Sequence, residues 1–86
     1  MYQVYFANPR VAKQISKLPS VIEDQLLKAI QILSQNPRPH GCQKLRGKLK
    51  TAWRIRVGDY RLLYDIHDGD KTVVILEIGH RREIYR

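Results

Sequence analysis

Residues Trp53 to Ile66, WRIRVGDYRLLYDI, alternate apolar and charged side chains on both sides of a Gly-Asp pair. Read with period two, Trp53, Ile55 and Val57 fall on one face, and Tyr60, Leu62, Tyr64 and Ile66 continue it after the pair. Gly58-Asp59 is a two-residue hairpin signal with Gly in the first central position. Such a turn sets Val57 against Tyr60, Arg56 against Arg61, Ile55 against Leu62 and Trp53 against Tyr64. One face is then core, and the other carries Arg54, Arg56 and Arg61. Directly opposed like charges cost a few tenths to about 1 kcal/mol per pair. Folding alone gives no reason for them, whereas a polyanionic partner does.

The rest of the chain is read outward from this hairpin. Tyr2 to Phe6 is rich in strand formers and stops at Asn8-Pro9, a good helix N-cap followed by a good first helical residue. Val11, Ile15 and Leu18 recur at helical spacing until Pro19. Ser20-Val-Ile-Glu23 has the form of a capping box, with Ser20 expected to accept from the backbone of Glu23. The stripe Ile22, Leu26, Ala29, Ile30 and Leu33 carries a second helix to Asn36-Pro37. After the arginine hairpin, His67-Asp68-Gly69-Asp70 reads as a turn, and Lys71 to Gly79 as a last strand. A four-residue loop sets Ile66 against Lys71, Tyr64 against Val73 and Leu62 against Ile75. It also places Val74 and Leu76 on the arginine face with Leu63. The expected fold is α+β, one small domain over 1–86 in the order β-α-α-β-β-β, with a helical hairpin packed on a mainly antiparallel sheet centred on Tyr60 to Ile66.

Charge narrows the partner. Sixteen Lys and Arg against eight Asp and Glu leave a net +8 over 86 residues, which suits an acidic partner, nucleic acid first. Neither helix has the basic amphipathic character, with Trp or Phe on its apolar side, that a membrane-surface protein needs. The start, MYQVYFANPR, lacks the pattern of a signal peptide, and no stretch approaches a membrane span, so the expectation is a cytoplasmic protein with no membrane contact. Cys42, the one cysteine, forms no internal disulfide. Pro37 to Thr51, PRPHGCQKLRGKLKT, has no acidic residue. There Lys44, Arg46, Lys48 and Lys50 alternate with Leu45, Gly47 and Leu49, as in a short strand with a cationic edge suited to RNA phosphates.

Beyond the last strand lie His80, Arg81, Arg82 and Tyr85. RNA can be cut without a metal when its own 2′-hydroxyl attacks the neighbouring phosphorus, and this needs a base, an acid and cations aimed at the developing charge. His titrates near neutrality, Arg holds phosphate bidentately, and Tyr can stack on a splayed base or orient the hydroxyl. Asp65, His67, Asp68 and Asp70 fit neither a zinc nor a calcium spacing, so no metal and no cofactor are expected.

The segment KLRGKLKTAWRIRVGDYRLLYDI and the ending EIGHRREIYR resemble the RelE/ParE superfamily of toxins from bacterial type II toxin-antitoxin systems. The resemblance covers nearly the whole chain. For the RelE branch it implies a metal-independent endoribonuclease that cuts mRNA in the ribosomal A site and inhibits translation. Carried over residue by residue, Arg54 and Arg56 match the strand cations, Arg61 the central-strand Arg, Arg81 the later Arg and Tyr85 the aromatic residue. Arg54 and Arg56 are poor bases where other members have Lys, which leaves His80 as the candidate base. The resemblance also implies a cognate antitoxin protein as partner. The ParE branch, a non-catalytic inhibitor of DNA gyrase, is the alternative.

Overall fold

The computed structural model describes residues 1–45 and 52–80. Among the described residues, five strands and two helices follow in the order β1 (Gln3–Phe6), α1 (Pro9–Ser16), α2 (Ser20–Gln35), β2 (Gln43–Lys44), β3 (Ala52–Val57), β4 (Tyr60–His67) and β5 (Thr72–His80). The sheet order is β1-β5-β4-β3-β2, antiparallel except where β1 runs parallel to β5. β4 is therefore the middle strand, as its apolar alternation requires.

The hairpin has the expected register: Val57 pairs with Tyr60, Arg56 with Arg61, Ile55 with Leu62 and Trp53 with Tyr64. Gly58 sits at φ +60, and Asp59 is not among the residues of positive φ, the signature of a type II′ turn whose first central residue must be Gly. Both helices cover the Trp53–Leu62 face. Val11 and Ile15 of α1 and Leu26, Ala29 and Leu33 of α2 form one core with Leu62, Tyr64, Val73, Ile75 and Ile78. The i,i+4 and i,i+3 spacings on the helices and the period of two on the strands meet in this layer.

Asn8 caps α1 as expected, its side chain accepting from the backbone N–H of Arg10, with Pro9 in the first turn. The capping box at Ser20 does not form. The N-cap of α2 is Pro19, at φ −53 and ψ 145, and its carbonyl accepts from the Glu23 N–H at 2.9 Å. This puts Ser20 one residue inside the helix, where its hydroxyl no longer faces the orphan N–H groups of the first turn.

The β4–β5 register also departs from expectation. β4 runs one residue further, so His67 pairs with Thr72, Ile66 with Val73 and Tyr64 with Ile75. The connecting turn is Asp68 to Lys71, closed by the Lys71 N–H donating to the Asp68 carbonyl at 3.2 Å. Beyond Tyr64 the register slips: Leu63 pairs with Glu77 and Leu62 with Ile78, leaving Leu76 as the extra residue of a bulge. The bulge has a clear origin. Ile75 and Ile78 are three apart and would fall on opposite faces of a regular strand, and the extra residue turns both into the core. Glu77, not Leu76, is consequently opposite Leu63 on the arginine face.

The loop after α2 is fastened across the far end of the sheet. The buried Tyr64 hydroxyl donates to the Pro37 carbonyl at 2.9 Å, and burial pushes its pKa up, so it remains a neutral donor. Arg38 grips Asp68 with two bonds, Nη1 to Oδ1 at 3.2 Å and Nη2 to Oδ2 at 2.8 Å, and the Tyr2 hydroxyl donates to Oδ1 at 2.7 Å. The Arg38 guanidinium also lies 5.2 Å from the Trp53 ring centroid, a cation–π distance.

Two measurements check this fastening. Tyr64→Phe leaves the Pro37 carbonyl without its donor, at a cost of about 1–3 kcal/mol, and thermal denaturation is expected to register it as a melting-temperature drop of about 4–8 °C per kcal/mol. The Arg38 bonds, followed by the Tyr2 hydroxyl, depress the pKa of Asp68 to about 2. Its stabilisation is thus present above the unfolded carboxylate pKa, about 3.9, and is lost as the pH falls toward 2. The melting-temperature gap between wild type and Asp68→Asn is expected to close over that window and stay constant above it.

Candidate nucleic-acid interface

Alternation along β3 and β4 sends Arg54, Arg56 and Arg61 to the face away from the helices. Arg56 is directly across from Arg61, and Arg54 is across from Leu63, two pairs further along the hairpin. Two guanidiniums on paired residues repel, and the turn carbonyls offset part of that repulsion. Arg56 Nε donates to the Gly58 carbonyl at 3.1 Å, and Arg61 Nη1 to the Tyr60 carbonyl at 3.4 Å. The hairpin therefore supplies partial negative charge from backbone oxygen at these two contacts, while Glu77, opposite Leu63, puts one carboxylate on the same face.

The three arginines differ in exposure. Arg56 is exposed, Arg54 is intermediate, and Arg61 is only 4% exposed, with Leu63 buried beside it on the same face. A buried guanidinium acts through a lower effective dielectric than an exposed one, so Arg61 exerts the stronger field on an anion that reaches it. Arg56 is placed for first contact.

Arg54 is braced from the other side. Gln43 of β2 is its direct strand partner, and Arg54 Nη2 donates to Gln43 Oε1 at 2.5 Å. A lone glutamine carries no signal in the sequence; only the pairing of two-residue β2 with β3 brings Gln43 to the arginine face.

Other expected site residues are placed elsewhere. Lys44 pairs with Trp53, and its Nζ lies 5.8 Å from the Trp53 ring centroid, so it belongs to the helix side of the sheet edge with Arg38. His80 pairs with Tyr60, and the two rings meet edge to face at 5.5 Å. That is the helix side as well. Uninterrupted alternation from Val73 would have put His80 among the arginines, and the bulge at Leu76 reverses it. His80 and Tyr60 instead border a cleft of about 290 Å³ against Gln14, Lys17 and Leu18. Arg46, Lys48, Lys50, Arg81 and Tyr85 lie outside the described residues.

Among the described residues, no three or more His, Cys, Asp or Glu side chains gather into a metal-binding group. Asp68 is engaged by Arg38 and Tyr2, and His67 Nε2 is 3.9 Å from Asp65 Oδ2. No helix among these residues is long and apolar enough to cross a membrane. The chemistry this face offers is phosphate binding by fixed guanidiniums, with charge stabilisation strongest at Arg61.

Comparison with known proteins places the chain among toxins of toxin-antitoxin systems. Residues 5–85 match the model of the ParE toxin of type II toxin-antitoxin systems, parDE. Toxin RelG of Mycobacterium tuberculosis is 41% identical over 75 residues, covering 86% of this chain and 85% of that protein. The mRNA interferase toxin RelE of Escherichia coli is 31% identical over 80 residues, 88% of this chain and 82% of the relative. Among solved structures, the archaeal RelE–RelB complex from Pyrococcus horikoshii superposes with a TM-score of 0.81 at 30% identity, over 93% of this chain and 94% of the other.

Arg56, exposed and held by one backbone oxygen, gives the cleanest test of the face. Arg56→Ala is expected to keep the wild-type melting curve while weakening binding to a single-stranded RNA oligonucleotide, and to reduce the slope of log affinity against log salt by about one.

Proposed function

The chain belongs to the family of ParE toxins of type II toxin-antitoxin systems, as a RelE-like toxin, and from that premise we propose that it is a ribosome-dependent endoribonuclease that cuts mRNA in the A site and so inhibits translation. The observation that carries the reading is the face of the β3–β4 hairpin turned away from the helices, where Arg56 lies directly across from Arg61 with Arg54 on the same face. Three fixed cations on one rigid sheet serve a phosphate undergoing attack better than they serve folding. The relatives named RelE and RelG favour this over inhibition of gyrase, and the mRNA interferase name of the Escherichia coli relative gives the substrate class.

The proposed reaction uses no metal. The 2′-oxygen forms a bond to phosphorus as the bond from phosphorus to the 5′-oxygen breaks, leaving a 2′,3′-cyclic phosphate and a free 5′-hydroxyl. One proton passes from the 2′-hydroxyl to solvent water and another reaches the 5′-oxygen. Arg54 and Arg56 hold the nonbridging oxygens, and Arg61 stabilises the charge that builds on them. By the resemblance, Arg81 protonates or stabilises the leaving oxygen, and Tyr85 orients the nucleotide. The base is not assigned to His80, which the bulge turns to the opposite face of the sheet from the arginines. Lys44, at the sheet edge, is assigned to flanking RNA, and so, from the sequence alone, are Arg46, Lys48 and Lys50. The antitoxin, as in the RelE–RelB relative, is the protein partner.

The purified protein, added to mRNA with and without programmed ribosomes, is expected to make new RNA ends at A-site codons only when ribosomes are present, and those ends are expected to carry a 2′,3′-cyclic phosphate and a 5′-hydroxyl. Equal cutting of naked RNA, or supercoiling inhibition of gyrase by a folded protein that leaves mRNA whole, is the outcome that rejects the reading.

A further inference from the structure

β2 contributes only Gln43 and Lys44, yet it completes the sheet edge beside the arginine face. Gln43 and Arg54 are direct antiparallel partners, a placement at which side chains on one face meet. A guanidinium donates and never accepts, so the Gln43 atom that faces Arg54 Nη2 is the amide oxygen. The acceptor is therefore neutral. A carboxylate in its place would orient the guanidinium equally well but would add a negative charge to the surface that must attract phosphate. An apolar residue would add no charge and would remove this hydrogen bond.

Arg54 also differs from its two neighbours in what holds it. Arg56 and Arg61 are steadied by carbonyls of their own hairpin turn, while Arg54, further from the turn, receives this acceptor from a different strand. We infer that Gln43 is a positioning residue of the RNA-binding face, which fixes the Arg54 guanidinium through its amide oxygen without lowering the charge of the face. The inference rests on the RNA reading of that face. It gives β2 a role in the site: the two-residue strand carries a neutral acceptor for Arg54.

The test is a double-substitution cycle read in two assays, single-turnover cleavage on programmed ribosomes and equilibrium binding to a single-stranded RNA oligonucleotide across a salt series. Gln43→Met keeps the side-chain length and removes the acceptor. It is expected to slow cleavage about tenfold, the size of one hydrogen bond to a charged group, with half-saturating ribosome concentration and melting temperature unchanged. In an Arg54→Ala background the same substitution is expected to do nothing more, because the group it positions is gone. Gln43→Glu keeps an acceptor and neutralises Arg54, so its melting temperature is expected to stay at or above wild type while its salt slope falls by about one. Equal fold losses from Gln43→Met with and without Arg54, or wild-type rates and slopes in both Gln43 variants, overturn the inference. If wild type makes no A-site cuts, the functional reading fails by itself. The cycle then stands on oligonucleotide binding, where coupled losses support the positioning role and additive losses reject it.

Discussion

The constraint on which the structure depends is the positive φ of Gly58. A two-residue turn with Gly first matches the right-handed twist of the strands it joins and admits one pairing of β3 with β4. That pairing sends Trp53, Ile55, Leu62 and Tyr64 to the helices and Arg54, Arg56 and Arg61 to the opposite face. A slip of one residue would bury the guanidiniums under the helices and expose the core. The same turn provides the carbonyls that receive Arg56 and Arg61, so one local feature sets both the core and the charge of the face.

The face is assembled from unequal parts. Arg56 is exposed, Arg61 is buried beside Leu63, and Arg54 stands between them in exposure and is braced from the neighbouring strand. A graded arrangement of this kind suits a phosphate that is first attracted and then held, because the effective dielectric falls toward Arg61. At the other end of the sheet, Arg38, Asp68, Tyr2, Trp53 and Tyr64 fasten the loop that leads from α2 into β2. The loop's path decides where Gln43 arrives, which links the structural network at one end to the electrostatics of the arginine face.

By itself the sequence determined the hairpin, the two helices, the middle position of β4 and the common face of the three arginines. Each rests on a short-range rule: period two, period near 3.6, a Gly-Asp turn, an Asn-Pro helix start. The RelE/ParE likeness was legible for a related reason, since its motif sits mostly in contiguous residues of β3 and β4. What only the tertiary structure decided is the bulge at Leu76, the start of α2 at Pro19, and the contacts of Gln43 and His80. The bulge arises because Ile75 and Ile78 both gain from burial, a competition between core packing and strand regularity that no local pattern scores, and it carries His80 to the helix side. Gln43 reaches Arg54, eleven residues away in sequence, through the pairing of β2 with β3. Its amide has no pattern of its own, and its meaning comes from the guanidinium that the sheet sets beside it.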